Sequence, residues 1–418
     1  MNTNDESEIL SKKPKIDNTM TDEIIESCQH WVIRKKRFCK MTVGKGKKFC
    51  GEHSATESNS HEVNRVVCPL DPKHTVDKAK LQKHLKICNA KQPQILPPYI
   101  TLACNIGDST IENGDSSFRL QDLPSELIEG IVKIIDDLFT SKVDKLCDLK
   151  LCTHEILADE LSKEEYGSEK RKHLIQTSAI LGIMKSEEFF NPQTCIIEYG
   201  AGKAALTFWL SKIVENIKDN KIIVIDKASH RHKKDNLIKN RDMVERVRAD
   251  IADLNLKGLK MEDKYKSFVG VSKHLCGGAT DLTLRCIIQG NESSMKTRDF
   301  IICTCCQHRC SWGTFVGKDW LLANGIDQKS FEIIIKMVGW YVCGDGLSRN
   351  KHEPATEEKE QKRKSKAEIG WKCKRILDHA RVQYMIKNNY DARMCYYVDE
   401  SVTLENVCII GKYQDSGI

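Results

Sequence analysis

Between residues 28 and 88 the chain sets eight cysteine and histidine side chains at ligand-like spacing, with few large apolar residues around them. The first four are Cys28-x10-Cys39-x10-Cys50-x2-His53, and the second four are Cys68-x5-His74-x9-His84-x3-Cys88. So little apolar surface cannot offset the entropy of ordering the backbone, so the stability has to come from bound metal. Thiolates and imidazoles are the ligands zinc takes tetrahedrally, and four protein ligands close the site, which makes each one structural rather than catalytic. In the second set Leu81 and Leu85 lie at helical spacing about His84, so a short helix is predicted to carry His84 and Cys88 on one face.

Nineteen cysteines would form disulfides in a small secreted protein. Here the N-terminus is polar and acidic with no apolar leader, and no apolar run approaches the about 18–20 residues that a membrane-spanning helix needs. The expectation is a reducing compartment, nucleus and/or cytoplasm, with no membrane association; oligomeric state is not legible. Residues 1–20 are expected to be a disordered tail, with an import-like patch at Lys12-Lys13-Pro14-Lys15. Residues 21–56 and 64–92 are expected to be the two zinc modules, and 93–120, with Pro93, Pro97 and Pro98, a linker. Residues 121–418 are expected to form a helical lead-in and a catalytic domain, with 350–366 a charged, flexible loop. Around the first zinc set Trp31, Arg34, Lys35, Lys36, Arg37, Phe38, Lys45, Lys47, Lys48 and Phe49 interleave charge with rings, a pattern suited to RNA phosphates and bases. A solvated basic face is the alternative, and a net charge of +7 does not separate the two.

Beyond Pro192, short apolar runs at 195–199, 222–226, 247–250, 267–273 and 300–304 alternate with helical stretches, and 407–413 adds another. That alternation predicts an α/β fold with a parallel, Rossmann-like sheet. The first run ends in Glu198-Tyr199-Gly200-Ala201-Gly202-Lys203 before a helical run, and the two glycines let the backbone turn sharply against a ligand. Asp226 and Asp250 stand at the next two strand ends, where carboxylates meet the hydroxyls and amine of a nucleoside. A dinucleotide would call for G-x-G-x-x-G, a fingerprint that sometimes allows the alanine found at Ala205, but Lys203 and the E-x-G-x-G form favour S-adenosylmethionine. Glu198, Gly200, Gly202, Asp226 and Asp250 are therefore the expected cofactor residues.

The fourth and fifth runs lead into Lys273-His274-Leu275-Cys276 and Cys303-Thr304-Cys305-Cys306-Gln307-His308-Arg309-Cys310, loops that border the substrate crevice of an open sheet. Methyl transfer needs alignment and then loss of the acceptor's proton, so Lys273 and His274 are the candidate catalytic residues. The set Cys303, Cys306 and Cys310 has three open readings: a third metal site, a thiolate nucleophile, or a packed thiol wall.

In chain order the two fingers and the segments IIEYGAGKAALTFWLS, VIDKASHRHKKDN, RVRADIADLNL, SKHLCGGATDLTLRC and CTCCQHRCSW closely resemble the eukaryotic tRNA methyltransferases that modify nucleotide 4 of the acceptor stem. The likeness runs over about residues 28 to 413. It implies 2'-O-methylation of that ribose, tRNA as the partner, S-adenosylmethionine as donor, zinc on Cys68, His74, His84 and Cys88, and a cofactor pocket at Gly200, Gly202, Asp226 and Asp250. It carries over no catalytic residue, so Lys273 and His274 rest on the residues alone. Two other functions fit the composition: a zinc-finger RNA-binding or processing factor with an inactive methyltransferase-like scaffold, and a protein methyltransferase.

Overall fold

A computed structural model describes residues 27–32, 37–44, 46, 48–50, 53, 65–88, 91, 95–107, 118–230, 232–261, 263–291, 295–342 and 357–414. The expected tail at 1–20 lies outside these residues, as do 108–117 of the expected linker. The chain divides into a first unit, 1–95, and a second, 96–418.

The first unit holds two small antiparallel ribbons. One pairs β1 (Trp31–Val32) with β2 (Arg37–Phe38), and the other pairs β3 (Arg65–Cys68) with β4 (Asp71–Asp77). After the second ribbon a 3-10 turn, Lys78–Lys80, leads into the helix Leu81–Ile87, as the Leu81 and Leu85 spacing predicts. Among the described residues its core around the first four ligands is Cys28, Cys39 and Cys50 with Val32, Val43 and Phe49 packed on them, too little apolar surface to hold it without metal.

The second unit is built on one eight-stranded sheet from β5 (Cys147–Leu149), β6 (Thr194–Tyr199), β7 (Lys221–Ile225), β8 (Val244–Val247), β9 (Ser267–Cys276), β10 (Thr297–Cys305), β11 (Tyr390–Tyr396) and β12 (Val407–Tyr413). Their spatial order is β5-β11-β12-β10-β9-β6-β7-β8. From β10 to β8 every pairing is parallel, β12 and β11 add on antiparallel, and β5 pairs parallel with β11. All of β6 is buried because helices cover both faces, which explains its unbroken apolar run. Over one face, helices Ser168–Ser186 and Ala205–Val214 pack on Ile196, Val224, Val271 and Ile301. Over the other, helices Ser125–Leu138, Gly278–Asn291, Gln328–Val342 and Glu357–Lys387 pack on Ile197, Ile223, Phe268 and Phe300. The chain steps outward through β6, β7 and β8 and then returns to place β9 on the other side of β6, so the order reverses between β6 and β9. A ligand in such a sheet lies at the carboxyl ends of the strands at that reversal.

Four expectations need correction. The strand expected at 247–250 is Val244–Val247; pairing with β7 stops at Val247, and the Asp250 side chain accepts from the Ala252 N–H to start a 3-10 turn instead. Of the loop expected at 350–366, residues 350–356 lie outside the described residues, and 357–366 instead open the helix Glu357–Lys387. Glu, Lys, Gln and Arg are strong helix formers, and Glu357, Glu358 and Glu360 suit the positive end of the helix dipole. Its inner face is set only later, by Cys373, Ile376, Leu377 and Ala380. Residues 96–107, expected as linker, dock on the second unit: Thr101 and Asn105 N–H groups donate to the Asp253 and Ala252 carbonyls, and Asn105 is fully buried with its amide on the Ile251 and Leu254 carbonyls. The helical lead-in is interrupted by β5 at the sheet edge. Among the described residues no helix is long and apolar enough to cross a membrane.

Candidate functional site

The four donor atoms of Cys28, Cys39, Cys50 and His53 lie within 4.8 Å of one another, and so do those of Cys68, His74, His84 and Cys88. Zinc bonds of about 2.3 Å to sulfur and about 2.0–2.1 Å to nitrogen give tetrahedral edges of about 3.3–3.8 Å. The observed edges match: His53 Nδ1 is 3.5 Å from Cys28 Sγ and 3.4 Å from Cys50 Sγ, while Cys68 and Cys88 sulfurs are 3.8 Å apart. His74 Nε2 and His84 Nε2 are 3.1 Å apart, and Asp71 Oδ2 stands 3.4 Å from His74 Nδ1, the outer carboxylate that orients a ligating ring. Both donor sets therefore fit zinc. Cys88→Ser is expected to remove one zinc ion per chain from the full-length protein, read by elemental analysis against wild type; an unchanged zinc content would contradict the second site.

In the second unit, β6 runs into a turn in which Gly200 (φ +64°), Gly202 (φ +54°) and Ala204 (φ +58°) are all left-handed. A Cβ on Gly200 would sit 2.6 Å from Leu275 Cδ2, so only glycine lets the turn close on the end of β9. Gly202 faces open space, with nothing within 4 Å of where a Cβ would stand, and its N–H donates to Asp226 Oδ2 at 2.7 Å. Asp226 Oδ1 accepts from the Ala228 N–H at 2.7 Å and lies 3.1 Å from His230 Nε2. Asp250 takes Lys227 Nζ on its other oxygen at 2.5 Å. An open, backbone-lined turn with two carboxylates at the adjoining strand ends fits a nucleoside cofactor. Glu198 differs from expectation: it is 3% exposed, and its Oε2 accepts from both the N–H and the hydroxyl of Thr207. Burial pushes its carboxyl up to about 7, against those two bonds. It braces the start of the helix Ala205–Val214 and so holds the turn from behind.

At the end of β9 the register with β10 passes from Ser272↔Ile302 to Leu275↔Thr304. Lys273 and His274 thus stand opposite Cys303 alone, which is a β-bulge, and within it His274 takes a left-handed conformation (φ +63°). Alternation would send neighbouring side chains to opposite faces, yet both of these meet the helix Ser168–Ser186. Lys273 Nζ bonds the His173 carbonyl at 2.9 Å and Thr177 Oγ1 at 3.2 Å, and His274 Nε2 lies 3.0 Å from Gln176 Oε1. Burial lowers the Lys273 ammonium to about 8 and the His274 imidazolium to about 4. His274 Nδ1 is buried with no hydrogen-bond partner among the described residues. The bulge is invisible to sequence patterning because it is defined only by pairing with β10.

The thiols do not gather as their spacing suggested. Cys303 is buried among the apolar residues of one face, and Cys310 Sγ lies 3.0 Å from the Arg381 guanidinium. Cys306 instead joins Cys305 and Cys276, a residue the spacing had left out. A surface cavity of about 510 Å³ opens beside Val214–Asn220 and Met243, at the amino ends of β7 and β8, and another of about 270 Å³ lies between Val316–Trp320 and Ala380–Lys387. Neither touches the glycine turn, and the carboxyl-end position of the turn outweighs their volume.

Residues 175–412 match the family described as Methyltransferase TRM13, residues 26–54 the CCCH zinc finger in TRM13 protein, and residues 65–89 the U11-48K-like CHHC zinc finger. The chain is 33% identical to the tRNA:m(4)X modification enzyme TRM13 of Schizosaccharomyces pombe, over 84% of this chain and 95% of that protein. It is 28% identical to the mouse tRNA:m(4)X modification enzyme TRM13 homolog, over 91% of this chain and 93% of that one. Among solved structures, the plantazolicin methyltransferase BpumL aligns over 70% of this chain at 10% identity with a TM-score of 0.30.

Proposed function

This chain belongs to the TRM13 methyltransferase family, and from that premise we propose that it methylates the ribose 2'-hydroxyl of nucleotide 4 in the tRNA acceptor stem. S-adenosylmethionine, held at the Gly200–Gly202 turn with Asp226 and Asp250, supplies the methyl group as a sulfonium electrophile. The remainder of the chemistry belongs to the protein's own side chains, and the bulge at Lys273 and His274 carries the reading.

A neutral lysine amine has two N–H donors and one lone pair. The His173 carbonyl and Thr177 Oγ1 take both donors of Lys273, so its lone pair is left to accept the proton of a 2'-hydroxyl as the oxygen takes the methyl. His274 stays neutral across the working range and is too weakly basic for that task. With Nε2 3.0 Å from Gln176 Oε1 and Nδ1 buried, it holds the bulge against the helix Ser168–Ser186 and so positions Lys273. The two zinc fingers are assigned affinity and register on the tRNA, through phosphate and stacking contacts from residues such as Arg37, Trp31 and Phe38.

The test is to incubate the protein with labelled donor and total tRNA and to map the product. Label is expected in an alkali-resistant dinucleotide spanning position 4. Label on a base, or at another nucleotide, would overturn the assignment of the acceptor.

A further inference from the structure

Among the described residues three groups bring three or more Cys, His, Asp or Glu donor atoms within 4.8 Å of one another, and two of them are the zinc fingers. The third is Cys276, Cys305 and Cys306. We propose that these three thiols hold a third zinc-class ion at the carboxyl ends of β9 and β10, leaving one coordination position for water.

One of the separations is that of a ligand edge, and the other is shorter, within the 4.8 Å that contains all three sulfurs. Cys276 and Cys305 sulfurs are 3.8 Å apart, equal to the Cys68–Cys88 edge of the second finger, and Cys305 and Cys306 sulfurs are 3.3 Å apart. Two sulfurs bound tetrahedrally to one zinc stand about 3.8 Å apart. Sheet register accounts for the Cys276 and Cys305 pair, which are direct cross-strand partners like Cys395 and Cys408 with sulfurs at 3.4 Å, but it does not account for Cys306. Cys276 and Cys305 do end paired strands, but Cys306 joins them only because it adopts a left-handed conformation (φ +49°) just past the end of β10. Such a conformation costs about 1–3 kcal/mol in a non-glycine residue and persists where something else holds the loop. A shared ion, tying the loop after β9 to the loop after β10, does that.

The surroundings suit a cation. Glu405 Oε1 accepts the Cys306 N–H at 3.2 Å while its other oxygen holds Lys374 Nζ, so a carboxylate is fixed behind the thiols as an outer-shell partner. Cys305 is buried, Cys306 half-buried and Cys276 exposed, which leaves the open position on the solvent side. Three soft ligands select a thiophilic ion, and three protein ligands with a vacant fourth is the arrangement that admits a small molecule.

The experiment uses full-length protein without donor or tRNA, so its failure leaves the methyl-transfer reading standing. The protein is stripped of metal under reducing conditions and titrated with cobalt(II), reading thiolate-to-metal charge transfer per equivalent. Three equivalents are expected to bind with charge transfer in the wild type, and two in Cys276→Ser; because Cys276 is exposed, serine there leaves the fold intact. Saturation at two equivalents in both proteins would overturn the proposal. Two bound ions together with the loss of two titratable thiols would also overturn it, in favour of a disulfide. Should Cys276→Ser not fold, the wild-type titration decides alone.

Discussion

Lys273→Ala is expected to lower the single-turnover methylation rate by about 10²-fold or more, the usual worth of a positioned general base, while cofactor binding is retained. The side chain has a structural task as well, since it ties β9 to the helix Ser168–Ser186 through His173 and Thr177. Lys273→Arg separates the two roles. Arginine keeps the cation and the donors but does not give up its proton, so it preserves the tie and abolishes the base. If the tie alone matters, Lys273→Arg will run at close to the wild-type rate, and the assignment fails. The pH profile gives a second readout. Burial lowers the lysine to about 8, and the base is active only when deprotonated. The wild-type rate should therefore climb about tenfold per pH unit below about 8 and level off above it, and this limb should vanish in both variants. His274→Asn, which tolerates the left-handed backbone, should cost less. Loss of its hydrogen bond to Gln176 is worth about 1 kcal/mol, or roughly fivefold.

Arg381→Ala is expected to destabilise the second unit by about 3–5 kcal/mol, because it strands a buried charge. Arg381 Nε and its terminal nitrogen grip Asp281 at 3.0 and 2.9 Å, its other terminal nitrogen lies 3.3 Å from Asp378 Oδ1, and all three residues are fully buried. Asp281 also takes the Val316 N–H at 3.3 Å, and Asp378 takes Gln307 Nε2 at 2.5 Å. The network fastens the first turn of the helix Gly278–Asn291 and the segment after β10 to the helix Glu357–Lys387, so both loops that border the crevice depend on it. Denaturant unfolding followed on the tryptophans of this unit reads the effect. Arg381→Met combined with Asp281→Leu should recover much of the loss, since it removes the stranded carboxylate while Asp378 keeps Arg375 and Gln307. A single-variant loss below about 1 kcal/mol would mean that water reaches Asp281, contrary to the observed burial.

The parts of this protein that depend on near neighbours were legible in the sequence. Each finger is spelled by ligand spacing, because donor atoms within a short segment can meet at one ion with little choice of path. The Gly200–Gly202 turn is legible for a similar reason: an apolar run, two glycines and a helical run specify strand, turn and helix locally. The strand cores at 195–199 and 407–413 read correctly, buried strands being continuous apolar runs. Charged segments without an apolar stripe misread as loop, as at 357–366, because intrinsic helix propensity carries no periodic signal there.

What lay beyond the sequence is whatever requires two distant segments to be aligned. The bulge exists only against β10, and it alone sends Lys273 and His274 to the same face. The thiol group replaces the spaced set of Cys303, Cys306 and Cys310 with Cys276, Cys305 and Cys306, which meet across two strand ends. Asp281 and Arg381 are 100 residues apart and are paired by helix packing. Residue types thus determined which chemistries this chain carries and where its metal-held modules fall. The tertiary structure decided which side chains share a site, because a one-residue change of register on a pleated sheet turns a side chain to the opposite face while leaving composition and spacing untouched.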